Sequence, residues 1–226
     1  MIGGQFEQAA EAYRSALSLD PDYSLARTNL ALALMGLNRF DEAQEVIKQG
    51  TARGLDASGF HNRLYLIATL KGDEEEAKRH VDWYAGKPDE YQMREIQGRA
   101  FAFAGQRRQA SEAFEQAASM AQQRGLPAER IRILVNEANM NALFGQSQLA
   151  QKQMATVLKL MATEKVAPED FQPSLIQQLD SPGVAWTLAL CHDSAKAESL
   201  ASGAGSKVSQ RHFAAESLGS RDSSYA

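Results

Sequence analysis

Gly4-Gln5-Phe6-Glu7-Gln8-Ala9 returns as Asn38-Arg39-Phe40-Asp41-Glu42-Ala43, 34 residues later. Another 34 residues lead to Ala77, at the end of Gly72-Asp73-Glu74-Glu75-Glu76-Ala77. A step of 33 reaches Ala110, after Gly105-Gln106-Arg107-Arg108-Gln109, and a step of 40 reaches Ala150, after Gly145-Gln146-Ser147-Gln148-Leu149. A weaker copy ends at Ala197. Each alanine follows a polar, turn-like cluster and so opens a helix. A fixed period of this length marks a repeat architecture. A generic alanine-rich bundle would show heptads instead.

Other positions keep the same frame. Four residues after the alanines come Tyr13, Ile47, Val81, Phe114 and Met154. Three further on stand Ala16, Gly50 and Ala117, small residues suited to a close approach of helix axes. Twelve residues before the alanines come Ala31, Tyr65, Gly98 and Ala138, on a preceding helix. Each unit is therefore two helices. The pattern resembles the tetratricopeptide repeat (TPR), carried by Gly98, Phe101, Ala110, Phe114 and Ala117 in one unit. Phe6, Ala9, Tyr13, Ala16, Leu17 and Pro21 carry it in the first, and Leu30, Ala31, Phe40 and Ala43 in the second. Tyr84 departs from it by taking a position that is usually small, and Asn141 by replacing an aromatic. The resemblance covers roughly residues 3–162. It implies an all-α, right-handed TPR-like helical-repeat solenoid.

Helices are expected at 5–19, 24–37, 40–53, 58–71, 74–86, 89–104, 107–124, 128–144 and 147–163. Pro21, Gly125 and Pro127 supply stops and restarts. The repeat domain is expected over 1–201, with shorter helices near 174–179, 183–191 and 194–201. Residues 202–226 hold seven serines and almost no periodicity, and read as a disordered tail. The chain opens at an inter-helix turn, so its first repeat is expected to be incomplete. One apolar face of helix 5–19 is then left for a second copy of the chain or a partner to cover. The block from Glu90 to Leu160 also resembles the C-terminal arrays of multidomain bacterial serine/threonine kinases and winged-helix regulators. That implies an alternative, a detached regulatory or sensor region whose effector domain lies elsewhere.

Lys and Arg number 24 against 28 Asp and Glu, a net charge of −4. This gives no basic surface for nucleic acid or for an anionic membrane. No stretch approaches the length of a membrane span. One cysteine, Cys191, excludes a disulfide within the chain and a cysteine zinc site. The N-terminus lacks the basic and apolar regions of a signal peptide, and the protein is expected to be cytoplasmic. Kinase signatures are absent. Gly203-Ala204-Gly205-Ser206-Lys207 lacks the Gly-Lys pair and the preceding strand of a phosphate loop. None of the four histidines has another three or four residues away, as a helical metal site would need. His61 reads as a packing residue, and Asp73-Glu74-Glu75-Glu76 as a helix start.

No catalytic residue, cofactor or metal is expected. What remains is a protein-interaction scaffold that binds a peptide or protein segment. The TPR resemblance implies a groove lined by the first helices of each pair. Mapped onto this chain, its positions include Asn29, Arg63, Gln92, Glu95, Arg99, Arg132 and Asn139. Asn29 and Arg63 fall where some TPR proteins grip a C-terminal carboxylate, but the lysine position beside Arg63 is Gly59. A mixed polar groove around Glu95, Arg99, Arg132 and Asn139 is the favoured contact, and its ligand is expected to carry at least one carboxylate.

Overall fold

The computed structural model describes residues 2–164, with side chains from Gln5 onward. The expected elements beyond Glu164, including the short helices and the tail, lie outside the described residues. Within them the chain is all-α, a helical repeat without strands. The helices are α1 (Ile2–Leu19), α2 (Ser24–Gly36), α3 (Phe40–Ala52), α4 (Ser58–Lys71), α5 (Glu74–Tyr84), α6 (Glu90–Phe103), α7 (Arg107–Gln123), α8 (Pro127–Leu143) and α9 (Ser147–Glu164).

The repeat frame is visible in backbone hydrogen bonds. Each first helix ends with an amide reaching back five residues: Arg39 N to Leu34 O, Asp73 N to Ala68 O, Gln106 N to Phe101 O and Gln146 N to Asn141 O, at 2.8–2.9 Å. Such a closure needs a left-handed residue just before the donor. Gly72, Gly105 and Gly145 supply it, and Asn38 takes the same conformation at φ 59°. The donor residue then offers its own carbonyl to the amide of the framed alanine: Ala43, Ala77, Ala110 and Ala150, at 2.9–3.1 Å. Four turns thus repeat one hydrogen-bond pattern. At the third, the Asp73 side chain adds an N-cap, accepting from the Glu76 amide at 3.0 Å.

The described residues divide into two compact units whose boundary falls between Ala100 and Phe101, inside α6. In the first, α2 packs on α1, α3 and α4, and α4 packs on α5. Ala10, Leu30, Leu34, Ile47, Phe60 and Ile67 form its main core, flanked by Phe6, Tyr13 and Leu17 of α1. Burying each large apolar side chain contributes about 1.5–3 kcal/mol. A second cluster holds Tyr65, Tyr84 and Met93. Tyr84, at the usually small position, is fully buried. Its hydroxyl lies 2.7 Å from both the Ser58 carbonyl and Asn62 Oδ1, so the ring spans α5 to the start of α4. In the second unit, α8 packs on α7 and α9. The buried face of α7 is Ala110, Ala113, Phe114, Ala117, Ala118 and Ala121, and α8 buries Ile131, Ile133, Val135 and Ala138 among others.

Candidate functional site

α2 and α4 lie side by side, bringing groove positions of two successive first helices together. Gly59 sits against Thr28 across this contact. A Cβ on Gly59 would fall 2.5 Å from Thr28 Cγ2, so helix packing disfavours a lysine there. Asn62 is occupied by the Tyr84 hydroxyl, and Asn29 is half-buried on α2. Leu25 and Leu32 of the same helix are exposed.

Arg63, on α4, has a buried Nε with no hydrogen-bond partner. Burial, and next the neighbouring charge of Arg99, hold its guanidinium below the usual arginine range, partly offset by Tyr84. Arg99 is exposed on α6. Two cations of the first unit therefore act on one another. Gln92 is half-buried, with Nε2 3.4 Å from the Tyr91 hydroxyl. Glu95 is only 4% exposed and faces inward. In the second unit, Arg132 is buried and its Nε donates to Glu129 Oε2 at 2.9 Å. Asn139 is half-buried there, with Oδ1 lacking a partner. Asn29, Arg63, Gln92, Glu95 and Arg99 belong to the first unit, where Arg63 and Arg99 act on one another, while Arg132 and Asn139 belong to the second.

A cluster not anticipated from sequence joins α4, α5 and the turn before α4. His61 Nδ1 lies 3.0 Å from His80 Nδ1. His61 Nε2 is 2.8 Å from Asp56 Oδ1, and His80 Nε2 is 3.0 Å from Glu76 Oε1. Trp83 stacks on His61 with centroids 3.9 Å apart and donates Nε1–H to Asp56 Oδ2 at 3.1 Å. The Lys87 ammonium sits over the Trp83 ring, 2.8 Å from its centroid. Proton counting fixes the state of the pair. Each Nε2 faces a carboxylate and must carry a proton, and one proton fits between the two Nδ1 atoms. Three protons on four nitrogens make one imidazolium and one neutral ring. Burial, then the His61 charge, push the His80 pKa down, with Glu76 opposing. The bond to His61 holds the Asp56 carboxyl below its usual range.

The sequence signal for this pair was the repeat itself. His61 and His80 stand one period after Arg27 and Val46. Arg27 spans the same gap, donating Nη1–H to the Val46 carbonyl at 3.0 Å and Nη2–H to that of Pro21 at 2.7 Å. Among the described residues no three His, Cys, Asp or Glu converge to hold a metal ion. Nor is any helix there long and apolar enough to cross a membrane.

Residues 2–62 match the tetratricopeptide repeat family. Over 94 residues the chain is 29% identical to a protein of Arabidopsis thaliana named inactive TPR repeat-containing thioredoxin TTL3. That stretch covers 42% of this chain and 14% of the relative, so the similarity spans a small part of the relative's length. The family match is to a repeat rather than to a catalytic domain, and the relative is itself named inactive.

Proposed function

We propose that the chain is a non-catalytic protein-interaction module whose first unit takes a carboxylate-bearing peptide on the face formed by α2, α4 and α6. The observation that carries this reading is Arg63. Its Nε is buried without a hydrogen-bond partner, and the cation acting on it is Arg99 rather than a carboxylate. A buried donor left unpaired costs about 1–3 kcal/mol, a penalty that a ligand carboxylate would relieve while neutralising two like charges. On the same reading the half-buried Asn29 and Gln92 of this unit offer amides, and exposed Leu25 and Leu32 offer apolar contact for the rest of the segment. Extended and helical peptides are both taken by such repeat faces. Glu95 serves as a buried support within α6, and Arg132 and Asn139 as a separate polar face of α8.

Selection of a random peptide library on the immobilised chain tests the reading. Enrichment of acidic segments, lost on adding salt, is the expected result. Enrichment of basic or uncharged segments would count against it. The Arabidopsis relative carries its matching stretch within a much longer protein. This favours a second reading in which the repeats recruit partners for a larger polypeptide, of which a kinase or winged-helix regulator is the version implied by sequence resemblance.

A further inference from the structure

The second unit holds a cavity of about 250 Å³, open to solvent, at the end where Gly105 and Gln146 mark two of the repeat turns. Its walls include Phe114, Met140, Phe144 and Leu149, and its lining also contains Ser111 and Glu137. Glu137 is 7% exposed. It accepts a hydrogen bond from Ser111 Oγ at 3.0 Å and another from Gln153. Burial raises its pKa and the like charge of Glu115 adds to this, with both hydrogen bonds opposing. No cation is among the groups acting on it. Arg107, also in the lining, lies against the Gln146 amide, whose oxygen accepts from its Nε at 3.3 Å once the amide is turned to face it.

The rim is apolar and open. Phe144 and Leu149 are exposed, and Phe103, 68% exposed, stands edge-on to Phe144 with centroids 5.9 Å apart. Aromatic and aliphatic walls leading to a buried carboxylate that lacks a counter-charge complement one kind of side chain. That is an alkyl stem ending in a primary ammonium. The stem lies along apolar surface, and the head forms a charge-assisted hydrogen bond. A guanidinium is broader and brings a planar fork that the Ser111 and Gln153 donors leave little of the carboxylate to receive.

We propose that this cavity is a receptor for a lysine side chain presented by a partner protein, with Glu137 as its anchor and Phe144, Met140 and Leu149 as the sleeve for its methylenes. The cavity belongs to the second unit and Arg63 to the first, and the cavity takes a ligand of opposite charge. Occupancy by an ammonium would favour the ionised carboxyl, opposing the burial that raises its pKa.

The test uses the full chain with labelled methionine methyls and backbone amides, followed by NMR. The probes are N-acetyl-lysine methylamide and its norleucine counterpart, which has the same stem and no charge. The expected result is a saturable shift of the Met140 methyl and of the Ser111 and Gly145 amides with the lysine probe, and binding of the norleucine probe at least about tenfold weaker. Glu137→Gln keeps a hydrogen-bonding amide of the same shape. It should lower affinity for the lysine probe by a similar factor while the melting temperature stays the same or rises. Equal binding of the two probes would assign an apolar occupant and overturn the proposal. So would unchanged lysine binding by folded Glu137→Gln, or the absence of any saturable shift at the cavity. None of these outcomes bears on acidic peptides at Arg63, so the two readings fail separately.

Discussion

Replacing Gly50 by alanine tests the closest approach in the first unit. In an open helix this change stabilises by about 1 kcal/mol, because glycine forfeits backbone entropy. In α3 the added Cβ would lie 2.5 Å from Arg27 Cδ and 2.9 Å from Phe60 Cε2 and Cζ. Neither neighbour yields cheaply. Phe60 is 1% exposed, and Arg27 is pinned at both guanidinium ends by the Val46 and Pro21 carbonyls. Overpacking costs about 1–3 kcal/mol, and freeing a buried arginine donor adds about 1–3 kcal/mol. The helix gain is smaller than either, so the net effect is destabilisation of about 1–3 kcal/mol once partial relaxation is allowed. Gly36→Ala is the control. Its Cβ would meet the Phe6 ring at 2.8–2.9 Å, but Gly36 is exposed and Phe6 is half-buried on the terminal helix, where the ring can swing aside. Thermal unfolding followed by circular dichroism should show Gly50→Ala melting several degrees below wild type and Gly36→Ala close to it. A Gly50→Ala melting point at or above wild type would refute the reasoning.

Stability should fall as the pH drops below the ordinary histidine value of 6.5, because His80 binds its proton less readily folded than unfolded and a second charge would set two N–H groups face to face. His80→Gln should flatten that acid loss in melting curves taken across the range, and an unchanged slope would show the pair is not responsible. Tyr84→Phe should cost about 1–2 kcal/mol in denaturant unfolding, since it strips a buried carbonyl or amide of its donor. Asp73→Ala should cost about 1 kcal/mol by removing the α5 cap, and Asp73→Asn should recover most of it.

The fold was legible because the period and the turn chemistry agree. Asn38, Gly72, Gly105 and Gly145 each supply one left-handed residue, and each fixes the same pair of backbone bonds around the framed alanine. Helix ends consequently fall within about three residues of expectation. Side-chain direction was less legible. Frame position places Glu95, Arg99 and Arg132 on first helices, but it does not tell an exposed Arg99 from an inward Glu95 or from an Arg132 already paired with Glu129. The His61–His80 pair was missed because histidines were compared along one helix, whereas the contact crosses between two. The unit boundary inside α6 has no mark in composition, since the repeat pattern runs through it.

The most direct test of the binding reading is the affinity of one acidic peptide for the wild-type chain and for the double variant Arg63→Ala, Arg99→Ala. The probe is a fluorescent peptide from the library selection, paired with a version in which Asn and Gln replace every Asp and Glu. Anisotropy should show the acidic peptide binding wild type and weakening by at least about tenfold with the double variant, as expected for loss of charge-assisted hydrogen bonds. The neutral version should bind both chains equally weakly, and far-ultraviolet circular dichroism should be unchanged by the substitutions. Equal affinity of the acidic peptide for the two folded chains would contradict the assignment and move the contact away from α4 and α6.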